Sequence, residues 1–353
     1  MTEITIRPLD DRAGFLSDWT ALCEASPSVS FFQSPAWMKA WLEVVPSTLK
    51  LRRIDAVRDD RRLLLGAFCI APRRPPFAGL RETWFQQTGV AVIDSIYAEY
   101  VDFLCDGEAD HELRRDAVCA IMAEHSADGF VFCNLHRKMS AAVFSAAAVC
   151  AQAGRVLSEQ PVYVCDLTGD PFMTQLSKSL QTKISRSIGL YEARGPLTAR
   201  IATTEDEKTH AWNALLALHK QSWEARGGSS VFENERLLAF HAALAKHAPE
   251  ALHLFEVRVG AKTIAVLYNF VHGDRVMNYQ SGFSFEDDNR LAPGFVAHAL
   301  AAQHYQDQGF KTYDLLAGEA EYKARLGRID ETLTSLVVER ETWRNKLRAV
   351  LKR

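Results

Sequence analysis

The feature that most constrains this chain is a repeat in the order of its elements. Residues 117–135 read AVCAIMAEHSADGFVFCNL and residues 298–316 read HALAAQHYQDQGFKTYDLL, in each case a helical stretch, then Gly-Phe, then an apolar strand. The same order precedes both. LKLRRIDAV and RRLLLGAFCI flank Asp59-Asp60, while ALHLFEVRV and KTIAVLYNFV flank Gly260, and each pair reads as a hairpin around a tight turn. A third strand then leads into the helix. Two related α+β domains in tandem, each a mixed sheet flanked by helices, is the simplest fold for such a chain. Chance likeness between common strand–helix–strand units is the alternative. With 353 residues there is room for both domains, over 1–160 and 161–353.

Local signals sharpen this outline. Ser34 before Pro35 marks a helix start in SPAWMKAWLEVV. Leu176, Leu180, Ile184 and Ile188 recur every four positions and predict one face of a helix. Lys178, Lys183, Arg186 and Arg194 lie off that face and read as its solvated side, with an anionic sugar carrier or tRNA as the other reading. Lys and Arg number 41 against 44 for Asp and Glu, so no global field draws the chain to DNA. The seven cysteines are odd in number, scattered, and never at C-x-x-C spacing, as expected of reduced thiols in apolar runs. The opening MTEITIRPLDD is unlike a signal peptide, and no window approaches the length of a membrane span. These features predict a cytoplasmic protein.

Several chemistries are missing from the sequence. It holds no G-x-x-x-x-G-K-[ST], H-E-x-x-H, G-x-S-x-G or G-x-G-x-x-G, and its eleven histidines form no ligand spacing, so no metal is expected. The informative stretch runs from Asn278 to Gly327. There a strand ends, a polar loop follows, and Pro293-Gly294 opens a long helix. The first turn of a helix exposes unpaired N–H groups at the positive end of its dipole, which suits a phosphate. A glycine there lets a pyrophosphate come close to the backbone.

The segments TIAVLYNFVHGDRV, NYQSGFS, LAPGF, GFKTYDLLAG and AEYKARLG, in that order, resemble the GNAT acyltransferase superfamily. The nearest pattern is its tandem-domain branch, related to the Fem peptidyltransferases and to cellulose-biosynthesis-type acetyltransferases. FFQSPAWMKAWLEVV, SKSLQTKISRSIGLYEARG and LHKQSWEARGGSSVF extend the likeness from about Phe31 to Gly327. The resemblance implies two GNAT-like domains. In the second, Leu291, Ala292, Pro293, Gly294 and Phe295 would cradle the pyrophosphate of an acyl-CoA, acetyl-CoA first among them. The familiar GNAT loop carries an arginine, here replaced by Leu291, Ala292 and Pro293; Arg290, just before, is the candidate to supply the charge. The corresponding place in the first half, DGEADHELRRD, is acidic and would repel a pyrophosphate, so that half is expected to hold no cofactor.

An amine attacking a thioester must lose a proton, its carbonyl oxygen needs an N–H donor, and the departing thiolate gains from an acid. By the resemblance, the main chain of Asn278, Tyr279 and Gln280 offers the N–H, and Tyr322 stands where the family keeps a tyrosine near the sulfur. Asp314, ending TYDLL, is the first candidate for base or amine-orienting group; a carboxylate capping the following turn is the alternative. Glu321 and Glu319 are further candidates. Trp223 and Arg226, in the Gly-Gly-Ser-Ser region, suit a sugar-like acceptor, and Lys323 an anionic ligand, although surface residues would look the same. The expected reaction is acyl-CoA-dependent N-acylation of an amine, with an amino sugar of exopolysaccharide or envelope synthesis as acceptor. A Fem-like transferase using aminoacyl-tRNA and a non-catalytic GNAT-fold scaffold are the alternatives. The basic C-terminal segment RETWRNKLRAVLKR would pack on its domain or touch an anionic membrane weakly.

Overall fold

Both tight turns form as their residues dictate. Asp59 and Asp60 take φ of 48° and 61°, Gly260 takes 55°, and the strands on either side close as antiparallel hairpins. The structure is a computed structural model and describes residues 1–26, 30–71, 79–124, 127–225 and 227–351. In chain order its first part comprises β1 (Glu3–Pro8), α1 (Arg12–Glu24), α2 (Pro35–Val44), β2 (Lys50–Arg58), β3 (Arg61–Ile70), β4 (Glu82–Phe85), α3 (Ala91–Asp94), β5 (Leu104–Cys105), α4 (His111–Met122), β6 (Gly129–Leu135) and α5 (Arg137–Val149). Then follow β7 (Ala153–Asp166), α6 (Phe172–Gln175), α7 (Lys178–Glu192), β8 (Leu197–Ile201), α8 (Glu205–Glu224), α9 (Glu235–His247), β9 (Leu252–Val259), β10 (Lys262–His272) and β11 (Arg275–Phe283). The chain ends with α10 (Pro293–Asp307), β12 (Thr312–Ala317), α11 (Glu321–Leu326), β13 (Arg328–Glu339) and α12 (Trp343–Leu351).

The chain divides into two compact units. One holds Met1–Gln160, Arg236–His247 and Thr332–Arg353; the other holds Pro161–Glu235 and Ala248–Glu331. The continuous stretch 161–353 expected from sequence is therefore discontinuous in space. The reason is apolar pairing: β13 buries Leu333, Leu336, Val337 and Val338 and runs antiparallel to β6, and α9 sets Phe240 edge-on to Trp37 of α2 at 4.7 Å.

The first unit's sheet runs β1-β2-β3-β4-β6-β13, antiparallel except where β4 meets β6. The second unit's sheet runs β7-β12-β11-β10-β9-β8, antiparallel except where β11 meets β12. Each unit is thus a mixed sheet with helices, as predicted. In the second, Leu176, Leu180 and Ile184 lie buried in the core with Val296, Ala297 and Tyr305 of α10, so the four-residue spacing does mark the inner face of α7. All seven cysteines are free. Cys69 and Cys165 are buried and the rest half-buried, and burial pushes the thiols of Cys23 and Cys133 up to about 11. Among the described residues no helix is long and apolar enough to cross a membrane.

Candidate active site

In the second unit β11 and β12 run side by side for only three residues, Arg275–Met277 against Thr312–Asp314. Beyond that point they part. The rest of β11 stays with β10, while Ala317 of β12 pairs with Val162 of β7. A notch therefore opens in the sheet on the far side of Met277. Within it β11 carries a bulge: Asn278 faces Asn269 and Gln280 faces Tyr268, which leaves Tyr279 as the extra residue. The main chain of Asn278, Tyr279 and Gln280, singled out from sequence, is thus the irregular part of the strand.

The helix after β11 begins at this end of the sheet. Pro293 occupies its first turn and no side chain caps it. The N–H of Ala292 is held by the wholly buried Ser187 Oγ at 2.9 Å, and Leu291 is buried beneath the loop. The N-cap residue Ala292 offers no side-chain acceptor to the first turn, whose N–H groups lie at the positive end of the helix dipole. Gly294 is not required by the fold: its backbone is outside the left-handed region, and a Cβ there would meet only the Phe283 ring, at 3.5 Å.

The charges around this end differ from the sequence expectation. Arg290 donates to both carboxylate oxygens of Asp288, at 2.7 to 3.1 Å, and also takes the same carboxylate through its N–H. Two other cations converge instead. Lys183 of α7 lies 4.8 Å from the centre of the Phe295 ring and Arg325 of α11 lies 5.2 Å from it. Lys183 looked like one more solvated charge in the sequence, and Arg325 carried no signal at all, because only the fold brings α7, α10 and α11 together.

Asp314 lies within β12 rather than at its end as expected: it is the last residue of that strand paired with β11, and it is wholly buried. Its carboxylate accepts the N–H of Leu316 at 2.7 Å and lies 3.5 Å from Arg275. Leu316 has φ of 61°, an unfavourable value for leucine that its surroundings must hold in place. Lys323 grips the same corner, its Nζ donating to the carbonyls of Leu316 and Ala317 at 3.2 and 2.6 Å. That ammonium is spent on backbone rather than open to an anion. Tyr322 stacks on His298, ring centres 5.3 Å apart, and burial pushes its hydroxyl up to about 12. His298 in turn shares a 2.9 Å hydrogen bond with Tyr313, and burial, then the Lys323 charge, holds its imidazole down to about 3. Sequence gave no pointer to His298. Glu321 is exposed, 3.9 Å from Arg325.

Trp223 is 38% exposed, and its indole N–H donates to Nε2 of the buried His219 at 3.1 Å. The other nitrogen of His219 lies 2.8 Å from Ser230 Oγ. Arg226 lies outside the described residues. The matching place in the first unit is filled by its own chain. Val101 bridges Leu135 of β6 in parallel, past the point where β4 and β6 part, and Asp110 caps α4 by accepting the N–H of Leu113 at 2.8 Å. Among the described residues no group of His, Cys, Asp and Glu could hold a metal ion.

Residues 178–324 match the family model described as an acetyltransferase (GNAT) domain. No curated protein matches the sequence. Among solved structures, FemX superposes with a TM-score of 0.60 at 11% identity, over 96% of this chain and 98% of that one. A conserved protein of unknown function from Bacteroides thetaiotaomicron gives 0.56 at 14% identity, over 95% and 99%. L-PGS from Bacillus licheniformis gives 0.51 at 8%, over 96% and 95%. At such identities the likeness is one of fold, and it spans nearly the whole chain.

Proposed function

We propose, on the premise that residues 178–324 form a GNAT-type acyltransferase domain, that this domain takes its acyl group from acyl-CoA, acetyl-CoA first, and transfers it to an amine. The observation that carries the reading is the parting of β11 and β12 beside the uncapped start of α10. A notch between two strands that have parted suits an extended amide-bearing arm, and a helix N-terminus suits the pyrophosphate at its end. Leu291, Ala292, Pro293, Gly294 and Phe295 would cradle that pyrophosphate, with Lys183 and Arg325 as its cations. Arg290 is neutralised by Asp288 and has the lesser part.

The chain's residues then divide the work. A main-chain N–H at the Tyr279 bulge meets the acyl oxygen as charge develops on it. Tyr322, protonated at neutral pH as an ordinary tyrosine is, gives its proton to the departing thiolate as the carbon–sulfur bond breaks. Asp314 acts through the corner it caps, orienting the stretch from Leu316 to Tyr322. The amine's proton leaves to water, with Glu321 as the exposed carboxylate beside that route. Trp223 has its N–H satisfied internally, so what it offers a ligand is its π face, a surface suited to the ring of an amino sugar in exopolysaccharide or envelope synthesis. In this reading the first unit binds no acyl-CoA, which the Val101–Leu135 bridge past the parting of β4 and β6 and the Asp110 cap on α4 support. We place the reaction in the cytoplasm, with shallow contact between an anionic membrane and α12, where Trp343 and Leu347 are exposed.

The fold shared with FemX favours a second reading, in which the acyl group comes from aminoacyl-tRNA. Calorimetry with acetyl-CoA and CoA, followed by thiol release in the presence of glucosamine-type amines, separates the two. Acetyl-CoA binding with amine-dependent thiol release is expected. No binding, with acyl transfer from aminoacyl-tRNA, would establish the second reading, and binding without turnover on any amine would leave a scaffold.

A further inference from the structure

His298 lies one turn of α10 beyond Gly294, on the same face of the helix, and only 1% of it is exposed. A buried imidazole ordinarily has both ring nitrogens bonded, because an unbonded polar atom in the interior is costly. Nδ1 meets that rule, at 2.9 Å from the hydroxyl of Tyr313. Nε2 has no hydrogen-bond partner among the described residues. Its neighbours along the helix, Val296, Ala297, Ala299 and Ala301, are apolar and in the core, so packing alone asks for no imidazole here.

Three rings enclose the imidazole, and each comes from an element of the candidate site. Tyr322 of α11 stacks on it at 5.3 Å, with the planes 17° apart; Phe283 stands edge-on at 5.9 Å; Tyr313 lies 6.0 Å away. Tyr313 belongs to β12 and pairs with Val276, one step before the last pair that joins β11 and β12, and Phe283 ends β11 beyond the parting. Both strands that bound the notch thus send a ring to His298. The Phe283 ring also lies beside Gly294, the proposed place of the pyrophosphate. Tyr322 and Phe283 are themselves only half-buried, so a single layer of rings separates the imidazole from the surface.

The Tyr313 bond fixes which nitrogen carries the proton. A phenol is a stronger acid than a neutral imidazole, and an imidazole nitrogen accepts better than a phenol oxygen, so Tyr313 donates to Nδ1 and the ring proton stays on Nε2. Nε2–H is then a neutral donor in an enclosure lined by rings. A charged acceptor would lose its hydration there, whereas an uncharged carbonyl oxygen fits. We propose that His298 is a ligand-binding residue of this unit, its Nε2–H donating to an uncharged carbonyl oxygen of the acyl-CoA in the notch, either an amide carbonyl of the arm or that of the thioester. The proposal rests on the acyl-CoA reading. The carbonyl comes in past Tyr322 or Phe283, and by binding it completes the hydrogen bonding of the imidazole.

Nitrogen–proton NMR of the full chain carrying isotope-labelled histidine reads the tautomer and hydrogen bonds of each imidazole, and the His298 signals are those missing from His298→Gln. The proton is expected on Nε2, and its resonance should move downfield when the protein is saturated with ligand. A shift with CoA as well as acetyl-CoA assigns the arm amide; a shift with acetyl-CoA alone assigns the thioester. Calorimetry reads the size of the contribution. His298→Asn keeps an acceptor for Tyr313 near the Nδ1 position and removes Nε2, and should weaken acetyl-CoA binding about fivefold to tenfold, while His298→Gln restores an N–H near the Nε2 position and should recover most of that loss. Bound acetyl-CoA with the Nε2 resonance unmoved, or parental affinity in a folded His298→Asn, would overturn the proposal and leave the acyl-CoA reading standing; an imidazole that serves only packing, or that holds one buried water throughout, gives that result. If the parent binds neither CoA nor acetyl-CoA, the acyl-CoA reading fails and this proposal with it. Should the variants not fold, the parent spectra still decide, with the His298 signals assigned through their contacts to the Tyr322 ring.

Discussion

Gly294→Glu should strengthen the fold and abolish acyl-CoA binding, two effects of opposite sign from one substitution. Gly294 sits in the first turn of α10 in ordinary helical backbone, and a Cβ there meets only the edge of the Phe283 ring at 3.5 Å. The backbone and the space at the Cβ admit a side chain. Replacing glycine in a helix gains up to about 1 kcal/mol, less near an end. A carboxylate beside the helix N-terminus adds about 0.3 to 1 kcal/mol. The melting temperature should therefore rise by a few degrees or stay level. A pyrophosphate at the same helix end meets the opposite situation. Two like charges about 4 Å apart repel by about 4 kcal/mol at the screening typical of a protein surface, before counting the loss of close backbone approach. That corresponds to a loss of affinity on the order of several hundredfold. Calorimetric titration of acetyl-CoA into parent and variant, with thermal unfolding on the same samples, reads both effects. Unchanged affinity would mean that the pyrophosphate does not lie at this helix. A lower melting temperature would show that the glycine serves the fold after all, and the ligand argument built on it would go.

Other perturbations follow from the same geometry. Lys183→Glu and Arg325→Glu should each weaken acetyl-CoA binding roughly tenfold or more at low salt, with the difference shrinking as salt is raised; an effect of Arg290→Glu larger than either would return the charge to the loop. Asp314→Asn should cost about 2 kcal/mol of stability through the Leu316 corner while turnover drops less than tenfold, whereas Tyr322→Phe should lower kcat about a hundredfold with stability nearly kept; the reverse pattern would make Asp314 the base. Burial holds His241 and His298 down to about 3, against about 6.5 in an unfolded chain. As pH falls below about 6.5 the unfolded state takes up protons that the folded state refuses, so each histidine should cost up to about 1.4 kcal/mol per pH unit until its folded value is reached. His241→Gln should flatten the fall of melting temperature over that range and leave acetyl-CoA binding untouched; an unchanged slope would mean that His241 is solvated in the folded protein.

What the sequence by itself determined is what neighbouring residues decide among themselves. Asp59-Asp60 and Gly260 admit left-handed backbone and so place the hairpins. Ser34 caps α2 through the N–H of Trp37, and Pro293 opens α10, because helix ends answer to one or two residues. The four-residue spacing marked the inner face of α7. Tertiary structure alone decided the pairings made across long stretches of chain. It gave β13 to the first unit, since Leu336 and Val338 find β6 there. It carried Lys183 and Arg325 to Phe295 across more than a hundred residues in one direction and thirty in the other, and it turned Arg290 aside to Asp288. It buried Asp314 against Leu316 and Arg275, and set Asn269 opposite Asn278 where the register slips. A side chain's charge or amide is legible in one dimension. Whether it meets a ligand, a carbonyl or another side chain depends on which strands pair and in what register, and that is settled by the packing of the whole sheet.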